Sequence, residues 1–255
     1  MNISNIFKQY DTGIVLSGGA VRGFAHLGAI KALHEAGINP DIISGVSAGS
    51  IVGAFYADGF EPDEILDIFE QKKFYNLVNV LFKKSGLLDI RGLKKLLKNN
   101  LKAKRFDDLK KPFYVTATNL ETGETEHFNK GNVVDTVLAS ASIPILFKPQ
   151  KINKSKYADG GLTNNLPIEP IEKKCKQLIG INVNPLEENP ELDGLKNIAI
   201  RSFHLSIASS INDKKDLFDV YVEPQELRKY GYFNVKESRD LFKIGYEATV
   251  HSLSD

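Results

Sequence analysis

Cysteine is almost missing from this 255-residue chain: Cys175 stands alone. That excludes an intramolecular disulfide and any metal site built from several thiolates, and it fits a reducing compartment. Long apolar runs are missing too. No stretch approaches the roughly 18 apolar residues of a spanning helix. The opening "MNISNIFKQYDTG" lacks the apolar core of a secretory signal, so the sequence points to a cytoplasmic protein. Net charge is nearly absent, 33 Lys and Arg against 32 Asp and Glu, for a formal +1. There is no internal repeat, low-complexity tract or linker, and a single domain over 1–255 is the simplest organisation. With 42% apolar and 25% charged residues the composition is that of an ordinary globular protein.

What is present reads as alternating strands and helices. "GIVLS" (Gly13 to Ser17) is a short apolar strand, followed by a glycine-rich break. In "RGFAHLGAIKALHEAG", Phe24, Leu27, Ile30 and Leu33 recur at helical spacing, and Gly37 stops the helix. "DIIS" is a second strand and Ser50 to Ala57 a second helix. Strand, helix, strand, helix in this order makes a parallel sheet covered on both faces. Further helices are expected over Glu61 to Phe74, from Val133 to Pro144, over Leu195 to Ile211 and over Val235 to Ser252. Strands are expected over Pro112 to Leu120, in "TEHFN", over Gln177 to Val183 and in "DVYVEP".

Two glycine-rich turns carry candidate chemistry. Gly45-Val46-Ser47-Ala48-Gly49 lies between a strand and a helix, where small residues permit a tight elbow that exposes the serine as a nucleophile. "SGGAVRG" (Ser17 to Gly23) lies at a helix start, where unpaired backbone N–H groups favour an anion. Ala20 interrupts the dinucleotide pattern Gly-x-Gly-x-x-Gly, and the Gly-Lys-Ser/Thr of a phosphate loop is absent. An oxyanion hole asks only for N–H donors, and it pairs naturally with a serine on the next strand–helix unit.

A serine needs a base. Ser47 follows a single strand–helix unit, too early for the Ser-Asp-His order of α/β-hydrolases. The five histidines, His26, His34, His127, His204 and His251, lie beside no glycine turn and read as surface or packing residues. Asp159 in "YADGG" is the conspicuous acid, since Gly160 and Gly161 let the chain turn sharply after it. A carboxylate serves as base when partly desolvated within reach of the serine, although Asp-Gly-Gly alone is also a common turn.

Taken jointly and in this order, "SGGAVRGFAHLG", "GVSAGS" and "ADGG", with "TATNLETGE" and "ASASIPILFKP" between the last two, resemble the patatin-like phospholipase family over about Thr12 to Asn184. The resemblance implies a three-layer α/β/α sandwich with a mainly parallel central sheet. It also implies a Ser–Asp dyad without histidine and no metal or organic cofactor. Matched residue by residue, Ser47 is the nucleophile and Asp159 the base. Gly18, Gly19 and Ala20 form the oxyanion loop, and Arg22 is the basic residue after it; Gly23, Gly45, Gly49, Gly160 and Gly161 support the motifs. Many members have glycine where this chain has Ala20, which makes Gly18 and Gly19 the safer donors. The implied activity is hydrolysis of lipid acyl esters, of phospholipase A or lysophospholipase type. A carboxylesterase or thioesterase on the same dyad, or a non-catalytic lipid-binding protein of the same fold, are the alternatives.

Residues 71–111 hold thirteen Lys and Arg against three acids, a net +10 that leaves −9 for the rest of the chain. Phe74, Tyr75, Leu77, Val78, Val80, Leu81 and Phe82 lie among them. The plainer reading is a helix pair with a solvated basic face. The sharper one is a lid or docking surface in peripheral contact with an anionic membrane. No nucleic-acid recognition motif accompanies the charge, so nucleic acid is not an expected partner.

Overall fold

The alternation of apolar side chains along β1 (Tyr10–Leu16) already divides the interior in two. In this computed structural model, which describes residues 8–70, 90–186, 189–190, 192–232 and 234–254, Ile14 and Leu16 enter one apolar cluster and Val15 the other. A strand sends successive side chains to opposite faces, so a sheet buried on both faces must be apolar throughout its centre. β2 (Ile42–Val46) is buried along its whole length.

Hydrogen-bonded neighbours trace the path β5-β6-β3-β2-β1-β7-β8 through the sheet, with β4 also paired to β3. β3 is Phe113–Asn119, β7 Cys175–Ile181 and β8 Val220–Val222, and these five central strands, β3-β2-β1-β7-β8, are parallel to one another. β4 (Thr125–Phe128), β5 (Gln150–Ile152) and β6 (Ser155–Asp159) pair antiparallel at the β3 end. One face carries α1 (Phe24–Glu35), α2 (Ala48–Ala57), α3 (Pro62–Glu70), α4 (Arg91–Asn100), α5 (Val133–Ser140) and α7 (Ser238–Ser252). The other carries α6 (Gly194–Asn212) and the turn-rich chain around Leu166, Ile168 and Ile171. The result is mixed α/β in three layers about a mostly parallel sheet.

One detail of register positions the site. Thr116 of β3 faces Val46 of β2 on one edge and His127 of β4 on the other, while Ala117 faces Asp159 of β6 and Glu126 of β4. β4 occupies one edge throughout, so β2 and β6 share the opposite edge. They run toward each other and meet end to end, which brings the residue after Val46 beside Asp159.

The closing helix α7 lies against α1 at a glycine crossing. A Cβ on Gly28 would collide with the Phe242 backbone carbonyl, and one on Gly245 with that of Ala25. Backbone cannot move aside as a side-chain tip can. Gly28→Ala is therefore expected to cost about 1–3 kcal/mol despite alanine's better helix propensity, read as a lower midpoint of urea unfolding.

The sequence-based elements are present with shifted ends: α5 stops at Ser140, before Pro144, and β5–β6 is a hairpin that the sequence reading passed over. Part of the expected basic surface, 71–89, and the end of the helix expected to reach Phe74 lie outside the described residues. In the described part, Lys94 pairs with Asp135 at 2.9 Å, Lys102 Nζ sits over the Phe60 ring and Lys111 Nζ donates to the Pro40 carbonyl. Lys95 and Lys98 are exposed. No helix among the described residues is long and apolar enough to cross a membrane.

Candidate active site

Ser47 is the single residue between β2 and α2, and its backbone takes φ 51° and ψ −120°. A non-glycine residue at positive φ stores about 1–3 kcal/mol and persists only where its surroundings hold it. Here the Ser47 N–H donates to Ser140 Oγ at 2.8 Å, and that hydroxyl donates to the Thr116 carbonyl at 2.6 Å. The Ser50 hydroxyl donates to the Ser47 carbonyl at 2.7 Å. Strand and helix close on each other behind the serine: a Cβ on Gly45 would stand 2.6 Å from the Gly49 carbonyl oxygen, and one on Gly49 would strike that of Leu16.

The Ser47 hydroxyl donates to Asp159 Oδ2 at 2.6 Å. Both residues are buried, Asp159 to within 1% of its surface. Its other oxygen accepts the Gly161 N–H at 2.8 Å, and its backbone is held by the N–H to Ser142 O and by Thr118 Oγ1 to its own carbonyl. Burial raises the carboxyl from 3.8 to about 7, and the hydrogen bonds from Ser47 and Gly161 only partly oppose it. The group thus sits near the proton affinity best suited to a base at neutral pH.

The loop Gly18, Gly19 and Ala20 lines the same small cavity as Ser47 and Asp159. The Gly18 N–H donates to Asn165 Oδ1 at 3.2 Å, so the residue expected to be a safer donor is already engaged. Among the described residues neither the Gly19 nor the Ala20 N–H donates within the protein, which leaves these two for an oxyanion. Ala20 does so at φ 50°, a left-handed conformation that costs an L-residue about 1–2 kcal/mol.

Arg22 is fully buried behind the loop. Its guanidinium donates to the carbonyls of Tyr230 and Pro185 and to Tyr232 Oη, and it lies 4.0 Å from the Tyr232 ring centre. It therefore ties the loop to distant C-terminal chain. Gly23 lines the larger cavity next to it, and a Cβ on Gly23 would press on Ala48 at 2.8 Å.

Among the described residues Ser47 lines a larger and a smaller cavity. The larger, about 170 Å³, is walled by apolar side chains of α1, α2, α3 and α4, among them Leu27, Ile51, Val52, Phe69 and Leu93. The smaller adds Asn165, Asn184, Phe203 and His204 to the dyad and loop. Sequence reading missed Asn165, Asn184, Ser140 and Tyr232, which no short motif marks. His204 is buried, stacked on Tyr232 at 3.7 Å between ring centres. Burial, with Arg22 and Arg201 nearby, lowers it to about 3, so it remains neutral. His26 is also buried and neutral, its Nε2 bonded to the Ser17 carbonyl.

Comparison with known proteins gives three findings. The patatin-like phospholipase family matches residues 14–171. Lysophospholipase NTE1 of Kluyveromyces lactis is 27% identical over 286 residues, covering 96% of this chain and 19% of that protein. An uncharacterized NTE family protein of Mycobacterium tuberculosis is 28% identical over 211 residues, covering 81% and 57%. The chain thus spans only part of the length of these relatives. Among solved structures, VipD from Legionella pneumophila superposes with a TM-score of 0.56 at 17% identity, over 96% of this chain and 67% of that one. ExoU of Pseudomonas aeruginosa, in complex with SpcU, does so with 0.52 at 15% identity, over 97% and 52%. At these identities the likeness concerns the fold.

Proposed function

The chain belongs to the patatin-like phospholipase family, and from that premise we propose that it is a serine acyl-hydrolase cleaving acyl esters of lipids, of phospholipase A or lysophospholipase type. The observation that carries this reading is the 2.6 Å hydrogen bond to a buried Asp159 from Ser47, which itself lines a 170 Å³ apolar cavity. A strained serine with a base in place supplies the nucleophile, and the cavity supplies an apolar berth for the acyl chain.

In the reaction Ser47 Oγ attacks the ester carbonyl carbon while Asp159 takes the hydroxyl proton. The Gly19 and Ala20 N–H groups stabilise the tetrahedral oxyanion, a donor of this kind being worth ~3–4 kcal/mol in comparable sites. Collapse breaks the bond to the alcohol, which leaves with the proton from Asp159. Water then hydrolyses the acyl-Ser47 ester by the reverse sequence of proton transfers.

The test is a panel of 1-acyl lysophosphatidylcholine, diacyl phosphatidylcholine, a p-nitrophenyl ester and an acyl thioester, with fatty acid release measured. Release from either phospholipid is the expected result. Turnover of only the nitrophenyl ester or the thioester would move the function to a carboxylesterase or a thioesterase, and no labelling by a fluorophosphonate probe would leave a non-catalytic protein. The cavity gives a second check. Val52→Phe fills it from the wall, and is expected to lower kcat/KM for long-chain esters about tenfold or more while sparing butyrate.

A further inference from the structure

The smaller cavity measures about 20 Å³, the room one water molecule needs. Asn184 is one of its walls and is 3% exposed, yet among the described residues its Oδ1 has no hydrogen-bond donor. Nearly every buried polar atom is paired, and one that is not calls for an explanation, a bound water being one. Ser47 and Asp159 share the cavity with it, as do the Gly19 and Ala20 donors. The acyl berth lies in the other cavity.

We infer that the small cavity is the binding site of the water that hydrolyses the acyl-enzyme, and that Asn184 is the residue that positions it. The inference rests on the acyl-enzyme reading above and adds a residue to it. A water that donates one hydrogen to the Asp159 carboxylate and the other to Asn184 Oδ1 has its lone pairs left to face the ester carbon. Its oxygen forms the new bond to the acyl carbon and Asp159 takes the first proton. When the tetrahedral intermediate collapses, the bond to Ser47 Oγ breaks and Asp159 returns that proton to Oγ, so that free acid and free serine result. Neutral His204 on the same wall brings no charge to compete for the water. Asn184 follows the end of β7 by three residues, and its own N–H is fixed by Asn182 Oδ1 at 3.0 Å.

The test separates the two half-reactions. Rapid mixing with p-nitrophenyl butyrate reads acylation as the nitrophenolate burst and deacylation as the steady phase, while intact-mass spectrometry counts acylated protein. Asn184→Leu keeps the volume and removes the acceptor. Its steady phase is expected to fall about tenfold or more, as for one lost positioning hydrogen bond, with the burst rate within about twofold of wild type and acylated protein accumulating. Asn184→Ser retains an acceptor in less volume and should lose less, and it serves as well should leucine not fit. Because the amide oxygen has no partner among the described residues, the melting temperature of Asn184→Leu should not fall, which a merely structural role would require. Burst and steady phase falling together, or a steady phase unchanged, would overturn the water site alone. A wild type that never acylates would overturn the proposed function and this inference with it.

Discussion

Ser47→Ala is expected to abolish fluorophosphonate labelling and to lower ester turnover by at least ~10⁴-fold, as when the nucleophile of a comparable unit is removed. The reason is local. Ser47 is held at φ 51° by Ser140 and Ser50, with its hydroxyl already donated to Asp159, and no second hydroxyl among the described residues donates to that carboxylate. The variant should remain folded, because alanine inherits the backbone bonds. It has a further consequence at Asp159. The Ser47 hydrogen bond is the larger of the two influences that pull its carboxyl down, so without it the group should rise further and stay protonated near neutral pH. Labelling of Ser47→Ala at the wild-type rate would sink the assignment of the nucleophile.

Much of this was legible in the sequence, for reasons that can be traced. The elbow, the glycine loop and the acid announce themselves because each needs small residues at fixed offsets. Those needs are met locally, by Gly45 and Gly49 around Ser47 and by Gly160 and Gly161 after Asp159. The central strands were legible because a sheet buried on both faces is apolar without interruption. The β5–β6 hairpin was not: Gln150 to Ile152 and Ser155 to Asp159 are short and largely polar, and the turn depends on Asn153 at φ 54°. Least legible were Asn165, Asn184 and Tyr232. They reach the site from chain more than a hundred residues beyond Ser47, brought there by the order of strands and not by any local pattern. The same holds for Gly18, whose N–H donates to a residue 147 positions away, a pairing no local pattern announces.

Asp159→Asn is expected to lower kcat/KM by ~10³–10⁴-fold and, above neutral pH, to make the protein more stable. Both effects have one cause. Burial holds the carboxyl at about 7 against 3.8 in its ordinary state. As a base it must be ionised, so wild-type kcat/KM should fall as pH drops below about 7 and level off above it. The stability effect has the opposite sense. Between about pH 4 and pH 7 the native state keeps a proton that the unfolded chain has lost, so the native state binds more protons and stability declines as pH rises through that window. Below it the contribution is fully present; above it the folded protein carries a buried carboxylate held by Ser47 and one N–H, without an ion-pair partner among the described residues. Asparagine keeps the shape without the charge, and the Ser47 hydroxyl can turn to accept from its amide. The difference in melting temperature between Asp159→Asn and wild type should therefore be near zero at about pH 4 and grow toward pH 8. A constant difference over that range would place the cost of Asp159 elsewhere than in its charge, and full labelling of Asp159→Asn by the fluorophosphonate would place the base elsewhere than at Asp159.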